Sequence, residues 1–141
     1  MQENSGTNTI AREWVIKAEN DLKTASCTLR MAKGCPTDTI CFHAQQCVEK
    51  YLKAFLVCTG IDFPRTHDVE RLVALLPESI WLRLSVEEQR RLTAYATVTR
   101  YPGDYEPIPL SEAQHSVKLA RRVRKEIRGL LSKEILSPRR R

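Results

Sequence analysis

The stretch Thr99–Pro107, TRYPGDYEP, places an arginine, two tyrosines and an aspartate close together. An arginine presents five donors in a rigid fork that suits a phosphate, and a nearby tyrosine hydroxyl can orient the bound group. We therefore identify Arg100, Tyr101 and Asp104 as candidate phosphate ligands, and Arg100 and Tyr105 as candidate catalytic groups. The alternative is a helix terminator in which Tyr101, which precedes a proline, is extended and Arg100 pairs locally with Asp104.

A second group of polar residues lies in the segment FPRTHDVERL. Thr66 is a good N-cap for a following helix, and Asp68 and Glu70 suit the positive end of its dipole. Arg65 and His67 would then lie beside each other at the start of that helix. We identify both as candidate phosphate ligands, while the alternative is that His67 packs against the loop and hydrogen-bonds it.

A third group lies within FHAQQCVEKYLKAFLVCTG, where Gln46, Glu49, Lys50 and Lys53 share the arc away from Val48. Glu49 and Lys53 are four residues apart, the spacing of a favourable helical ion pair. Lys53 is a further candidate phosphate ligand. The alternative is that this arc is the solvated or partner-facing side of a half-buried helix.

Positive charge is concentrated towards the end of the chain. The formal net charge is +6, and residues 118–141 hold ten bases and two acids. A local basic surface attracts polyanions such as RNA and nucleotides, although a solvated helix face with a basic tail has the same composition.

The five cysteines form no CxxC pair and are odd in number. Zinc sites usually show close pairs and disulfide scaffolds an even count. We therefore predict small apolar side chains in a reducing compartment, with no metal site and no cofactor.

The elements that must position these residues are predicted to be helices, because apolar residues recur every three or four positions. Two capping boxes, Ser85–Glu88 and Ser111–Gln114, mark helix starts, and Gly60 is a plausible C-cap. The five predicted helices run from about Thr9 to Lys33, from 37–39 to Thr59, from His67 to Leu76, from Ser85 to Arg100, and from Ser111 through Leu130.

No stretch alternates as a strand would, so the sequence predicts an all-α up-and-down bundle of four long helices plus one short helix. The predicted organisation is a disordered segment at 1–8, a bundle at 9–136 and a basic tail at 137–141. No apolar run approaches the roughly 20 residues of a membrane span, and the first residues lack an apolar signal core. We expect a cytoplasmic protein without a membrane partner.

Four segments in this order resemble the HEPN family, the higher-eukaryote and prokaryote nucleotide-binding domain. They are a first helix with Trp14, Ala18, Asp21–Leu22 and Ala25, then FHAQQCVEKYLKAFLVCTG, RTHDVERLVALL and RYPGDY. The resemblance implies a helical bundle that commonly dimerises, with the functional cleft at the interface. It also implies that a nucleotidyltransferase antitoxin of the MNT type is a possible partner, since many members are toxins paired with one.

The active members of the family that this chain resembles are metal-independent RNases with an Arg-x(4–6)-His pair. In their reaction a ribose 2′-OH attacks the adjacent phosphate. This chain departs from that pattern, because no arginine lies five to seven positions before His43, His67 or His115. Counted from Arg100, the first position at which the histidine of that pair could stand holds Tyr105. A tyrosine that titrates at about pH 10 is a poor general base.

Three functional classes follow from the sequence. The first is a dimeric, non-enzymatic module that binds a nucleotide, an RNA phosphate or a nucleotidyltransferase, with Tyr105 as a residue that such a partner would nucleotidylate. The second is a toxin-like RNase with an altered active site. The third is a dimeric scaffold without a ligand.

Overall fold

A computed structural model describes residues 5–97 and 106–137, which form six helices and no strand. The helices are α1 (Ser5–Leu29), α2 (Thr37–Cys58), α3 (Val69–Ala74), α4 (Val86–Thr97), α5 (Leu110–Arg128) and α6 (Lys133–Leu136). The predicted all-α class is confirmed, with four long helices and the short α3. α6 is an additional single turn, capped by Ser132 and anchored by buried Ile135.

The second helix is the centre of the bundle. It packs against α1, α3, α4 and α5, and residues on every side of it are excluded from solvent. Tyr51, Leu52 and Leu56 are among its fully buried side chains. In the part of the chain that the structure describes, no helix is both long and apolar enough to cross a membrane.

The ends of α1 and α2 follow from local backbone chemistry. α1 begins at Ser5, inside the segment 1–8, and stops at Leu29, four residues before the predicted end. Ala32 and Gly34 then adopt positive φ angles of 59° and 81°, which no helix can continue. α2 ends in a Schellman motif in which the Ile61 N–H donates to the Leu56 carbonyl at 2.9 Å, with Gly60 left-handed as predicted.

The observed starts of α3, α4 and α5 confirm one capping prediction and contradict two. The Ser85–Glu88 box is present, with the two reciprocal bonds at 2.9 and 3.1 Å. The Ser111–Gln114 box is wrong, because Pro109 precedes the first residue of α5 and no side chain caps it. Asp68, not Thr66, caps α3 and accepts from the Arg71 N–H.

Because Ser85 caps a helix and Ser111 does not, alanine variants at these two positions form a matched pair. Ser85→Ala is expected to reduce the free energy of unfolding by about 1 kcal/mol, because the N–H of Glu88 loses its acceptor. Ser111→Ala should change stability by less than about 0.5 kcal/mol, as for an ordinary surface position. Urea denaturation followed by circular dichroism measures both, and equal losses would contradict the assignment of the α4 cap.

Candidate phosphate-binding surfaces

The four candidates in the TRYPGDYEP stretch lie outside the described residues. The positions of Arg100, Tyr101, Asp104 and Tyr105, and the predicted end of α4 at Arg100, therefore stay predictions. The other three candidates, Lys53, Arg65 and His67, are all described.

Lys53 is buried instead of projecting into solvent. Its side chain is 8% exposed, and Nζ donates to Glu49 Oε2 at 2.9 Å. The ammonium group also lies 5.3 Å from the ring centroid of Trp14 and 5.9 Å from that of Phe63. Lys53 therefore neutralises an internal carboxylate, and its ammonium is shielded from a ligand at the surface.

Glu49 is the centre of this internal network. Its Oε1 accepts from Gln45 Nε2 at 3.0 Å and contacts His67 Nδ1 at 2.8 Å, while Oε2 accepts from Lys53. Burial opposes ionisation of Glu49, but the hydrogen bonds from Lys53, Gln45 and His67 outweigh it and lower the pKa of the carboxyl group.

His67 is the one exposed member of the network, with 58% of its side chain accessible. It lies before the Asp68 cap, not at the first helical position as the sequence predicted. Because Glu49 is ionised, the imidazole is assigned as donating its Nδ1–H to the carboxylate. Nε2 is then the ring nitrogen available to other groups, and Arg65 is exposed on the same loop.

A second buried carboxylate lies on the same helix pair. Asp21 of α1 contacts His43 Nδ1 at 2.8 Å and accepts from Lys50 Nζ at 2.6 Å, and its side chain is 11% exposed. The interpretation of the Gln46–Lys53 arc as a solvated side of α2 is thus wrong. The central position of α2 places α1 and the 61–68 loop over that arc, and the polar groups there pair internally.

Six described cations line an open groove of about 630 Å³ between α1 and α5. We call it the basic groove. It has six basic side chains and one carboxylate, and its other lining residues are Leu22 and Ser26. The basic residues are Lys23, Arg30, Arg121, Arg124, Lys125 and Arg128, and the acid is Glu19.

Glu19 holds two arginines of the basic groove in place. Arg124 donates to both carboxylate oxygens, at 2.7 and 3.0 Å. The buried Tyr51 hydroxyl also donates to Glu19, and Arg128 donates to that hydroxyl at 3.3 Å. Burial opposes ionisation of Glu19, but the hydrogen bonds from Arg124 and Tyr51 outweigh it and lower its pKa. The carboxylate is therefore ionised, and both of its oxygens accept hydrogen bonds from neighbouring side chains.

The remaining cations of the basic groove are accessible. Lys23, Arg30, Arg121 and Lys125 are exposed. Arg121 donates to Ser26 Oγ at 3.0 Å. The side chains of Lys23, Arg30 and Lys125 form no hydrogen bond or ion pair within residues 5–97 and 106–137. Their positive charges are thus not neutralised by the described part of the protein.

The sequence located only one wall of this groove. The sequence shows the basic run of α5, but it does not identify Lys23 and Arg30 as the opposite wall. The available signal was the stripe Glu19, Lys23, Ser26 and Arg30, whose spacings of four, three and four place it on one helix face. Nothing local indicates that this stripe lies beside α5, because the packing of α1 on α5 is a tertiary contact.

A second polar depression, of about 500 Å³, lies between the start of α4 and the start of α5. Its lining includes Glu87, Glu88 and Glu112, and the cations near them are already paired. Arg91 lies 3.7 Å from Glu112, and His115 lies 3.3 Å from Glu88. This depression is unsuited to an anion, which distinguishes it from the basic groove.

Comparison with known proteins defines the class. The model of the HEPN domain matches residues 11–130. The chain is similar to TT1696 from Thermus thermophilus, with 28% identity and a TM-score of 0.71 over 86% of this chain and 98% of that one. It is also similar to ST0689, an archaeal HEPN homologue, with 25% identity and a TM-score of 0.66 over the same shares. No curated protein matches it.

The chain belongs to the HEPN domain family, because the family model covers most of its length. The resemblance identified from the four sequence segments is confirmed.

Proposed function

We propose that this HEPN domain binds the phosphate groups of a nucleotide or an RNA without cleaving them, and that the basic groove is the binding site. The observation that carries the proposal is the unneutralised positive charge of that groove. Lys23, Arg30 and Lys125 have no described partner, and the single carboxylate of the groove is occupied by Arg124 and Tyr51.

Physical chemistry supports a phosphate as the ligand. Like charges gathered on two neighbouring helices repel one another, and a bound anion relieves that repulsion. Arg124 and Arg128 are already oriented through Glu19 and Tyr51, so little side-chain entropy is lost when they meet a ligand. Arginine forks and lysine ammonium groups are the usual protein ligands of phosphate oxygens.

The proposal assigns Arg65 and His67 a secondary place. Both are exposed on the 61–68 loop and can meet a phosphate there, whereas Lys53 acts only through Glu49. We also propose that the chain forms a homodimer, which the family supports because its members commonly dimerise. A nucleotidyltransferase that modifies Tyr105 is the proposed protein partner.

Lysine protection tests the proposed site with internal controls. The full chain is acetylated at low ionic strength with and without a 12-nucleotide RNA, and each lysine is quantified by mass spectrometry. We expect RNA to slow the modification of Lys23 and Lys125 at least threefold, and to leave exposed Lys17 and Lys118, which do not line the groove, unchanged. Equal rates at Lys23 and Lys125 with RNA bound would move the site elsewhere, and an absence of binding would remove the proposed function.

A further inference from the structure

We infer that the ligand of the basic groove is a nucleic-acid backbone that contributes several consecutive phosphates and is bound without regard to its bases. This inference rests on the proposed function and narrows its ligand from any nucleotide or RNA phosphate to a polymer. Three properties of the groove lead to it.

The first property is the spacing of the cations along both walls. Arg121 and Arg128 are seven residues apart on α5, and Lys23 and Arg30 are seven residues apart on the opposite wall. At 1.5 Å per residue Arg121 and Arg128 lie about 10 Å apart along the axis of α5. On the other wall, Lys23 lies in α1 and Arg30 follows directly after its last residue. A single strand whose successive phosphates follow the groove can therefore contact separate cations, and we expect Lys23, Arg121 and Lys125 to meet one phosphate each. The single phosphate of a mononucleotide meets only one part of the groove.

The second property is the lack of groups that read a base. Base edges are distinguished by a mixture of donors and acceptors, and unpaired bases are held by stacking on aromatic rings. Both oxygens of Glu19 are occupied, and Ser26 Oγ accepts from Arg121. No ring is present among the described lining residues, and Leu22 is the single apolar one. Most of the polar atoms left for a ligand therefore belong to the six cations.

The third property is the access to the groove. Lys23, Arg30, Arg121 and Lys125 are all exposed, so the charged groups stand along an open channel. A polymer can enter such a channel from the side and extend beyond both ends. An enclosed pocket, by contrast, would bury most of a small ligand.

Fluorescence anisotropy on the full chain tests the inference with 12-nucleotide probes of rA, rU and dT. We expect the three dissociation constants to agree within about threefold. The affinity should fall about 20-fold between 50 and 200 mM salt, because three phosphate contacts on a single strand give a logarithmic slope of about −2. AMP at the same total phosphate concentration should leave the rU probe bound, whereas unlabelled dT should displace it.

The alternatives give distinct results. A preference above tenfold for one base, or displacement of rU by AMP at equal phosphate, would overturn the polymer inference while leaving phosphate binding intact. Binding of inorganic polyphosphate without binding of any oligonucleotide would overturn the nucleic-acid source. If no phosphate compound binds at 50 mM salt, the proposed function itself is wrong.

Discussion

Reversing three charges of the basic groove is expected to weaken oligonucleotide binding at least about 100-fold. The variant combines Lys23→Glu, Arg121→Glu and Lys125→Glu, which replaces three exposed cations by anions. A charge-assisted hydrogen bond contributes about 1.5–3 kcal/mol, and about 1.4 kcal/mol corresponds to tenfold in affinity. Loss of two or more such contacts, with repulsion added, gives the expected factor. Anisotropy with the rU probe at 50 mM salt measures it.

The fold should tolerate this triple variant, because Lys23 and Lys125 have no described side-chain partner and Arg121 loses a single bond to Ser26. The control combines Lys17→Glu, Arg71→Glu and Lys118→Glu, which changes the net charge by the same amount at exposed positions outside the groove. We expect the control to lose less than about fivefold in affinity. Equal weakening in the two triples would show that total charge, and not the groove, determines binding.

Among the substitutions proposed for this protein, removal of the Glu49 carboxylate should reduce the free energy of unfolding the most. Glu49→Ala is expected to reduce the free energy of unfolding by about 3–5 kcal/mol, because it leaves the Lys53 ammonium buried without its counterion. It also removes the acceptor of Gln45 and His67. Urea denaturation followed by circular dichroism provides the measurement.

Two further variants separate the buried charge from the loss of an ordinary ion pair. Glu70→Ala breaks the exposed pair with Arg90 and should leave the denaturation midpoint nearly unchanged, because solvent screens such pairs. The double variant Glu49→Leu with Lys53→Met should be less destabilised than Glu49→Ala, since it leaves no unpaired ion inside. A double variant less stable than Glu49→Ala would contradict this explanation.

The pH dependence of stability gives a second readout for Glu49. Its pKa is lowered in the folded chain, so its contribution is complete above the pKa of the unfolded chain, about 4.3. That contribution is lost as the pH falls through the lower folded value. The wild type should therefore lose stability more steeply below about pH 4.3 than Glu49→Ala does. Parallel curves for the two proteins would contradict the assignment.

The sequence predicted those features of the fold that depend on local chemistry. The helical periodicity identified the four long helices and the short α3, and the Ser85–Glu88 box and left-handed Gly60 were assigned correctly. The Ser111 box was wrong because Ser-x-x-Gln is a short motif. The chain at that point follows Pro109 straight into α5, without a side-chain cap.

The candidate site was less predictable because it depends on which helices meet. The burial of Lys53 depends on Trp14 of α1 and Phe63 of the 61–68 loop, whose rings lie over its ammonium group. The pairing of His67 with Glu49 likewise joins a loop to the middle of α2. The sequence shows the run of basic residues along α5, but it does not show the groove that this run forms with α1.

A crystal structure of the full chain with a 12-nucleotide rU strand tests the central claim most directly, because it locates the phosphates. We expect consecutive phosphate groups between α1 and α5, within hydrogen-bond distance of Lys23, Arg121 and Lys125. Phosphates placed instead at the Arg65–His67 loop or against residues 98–105, with the basic groove free of RNA, would contradict the account.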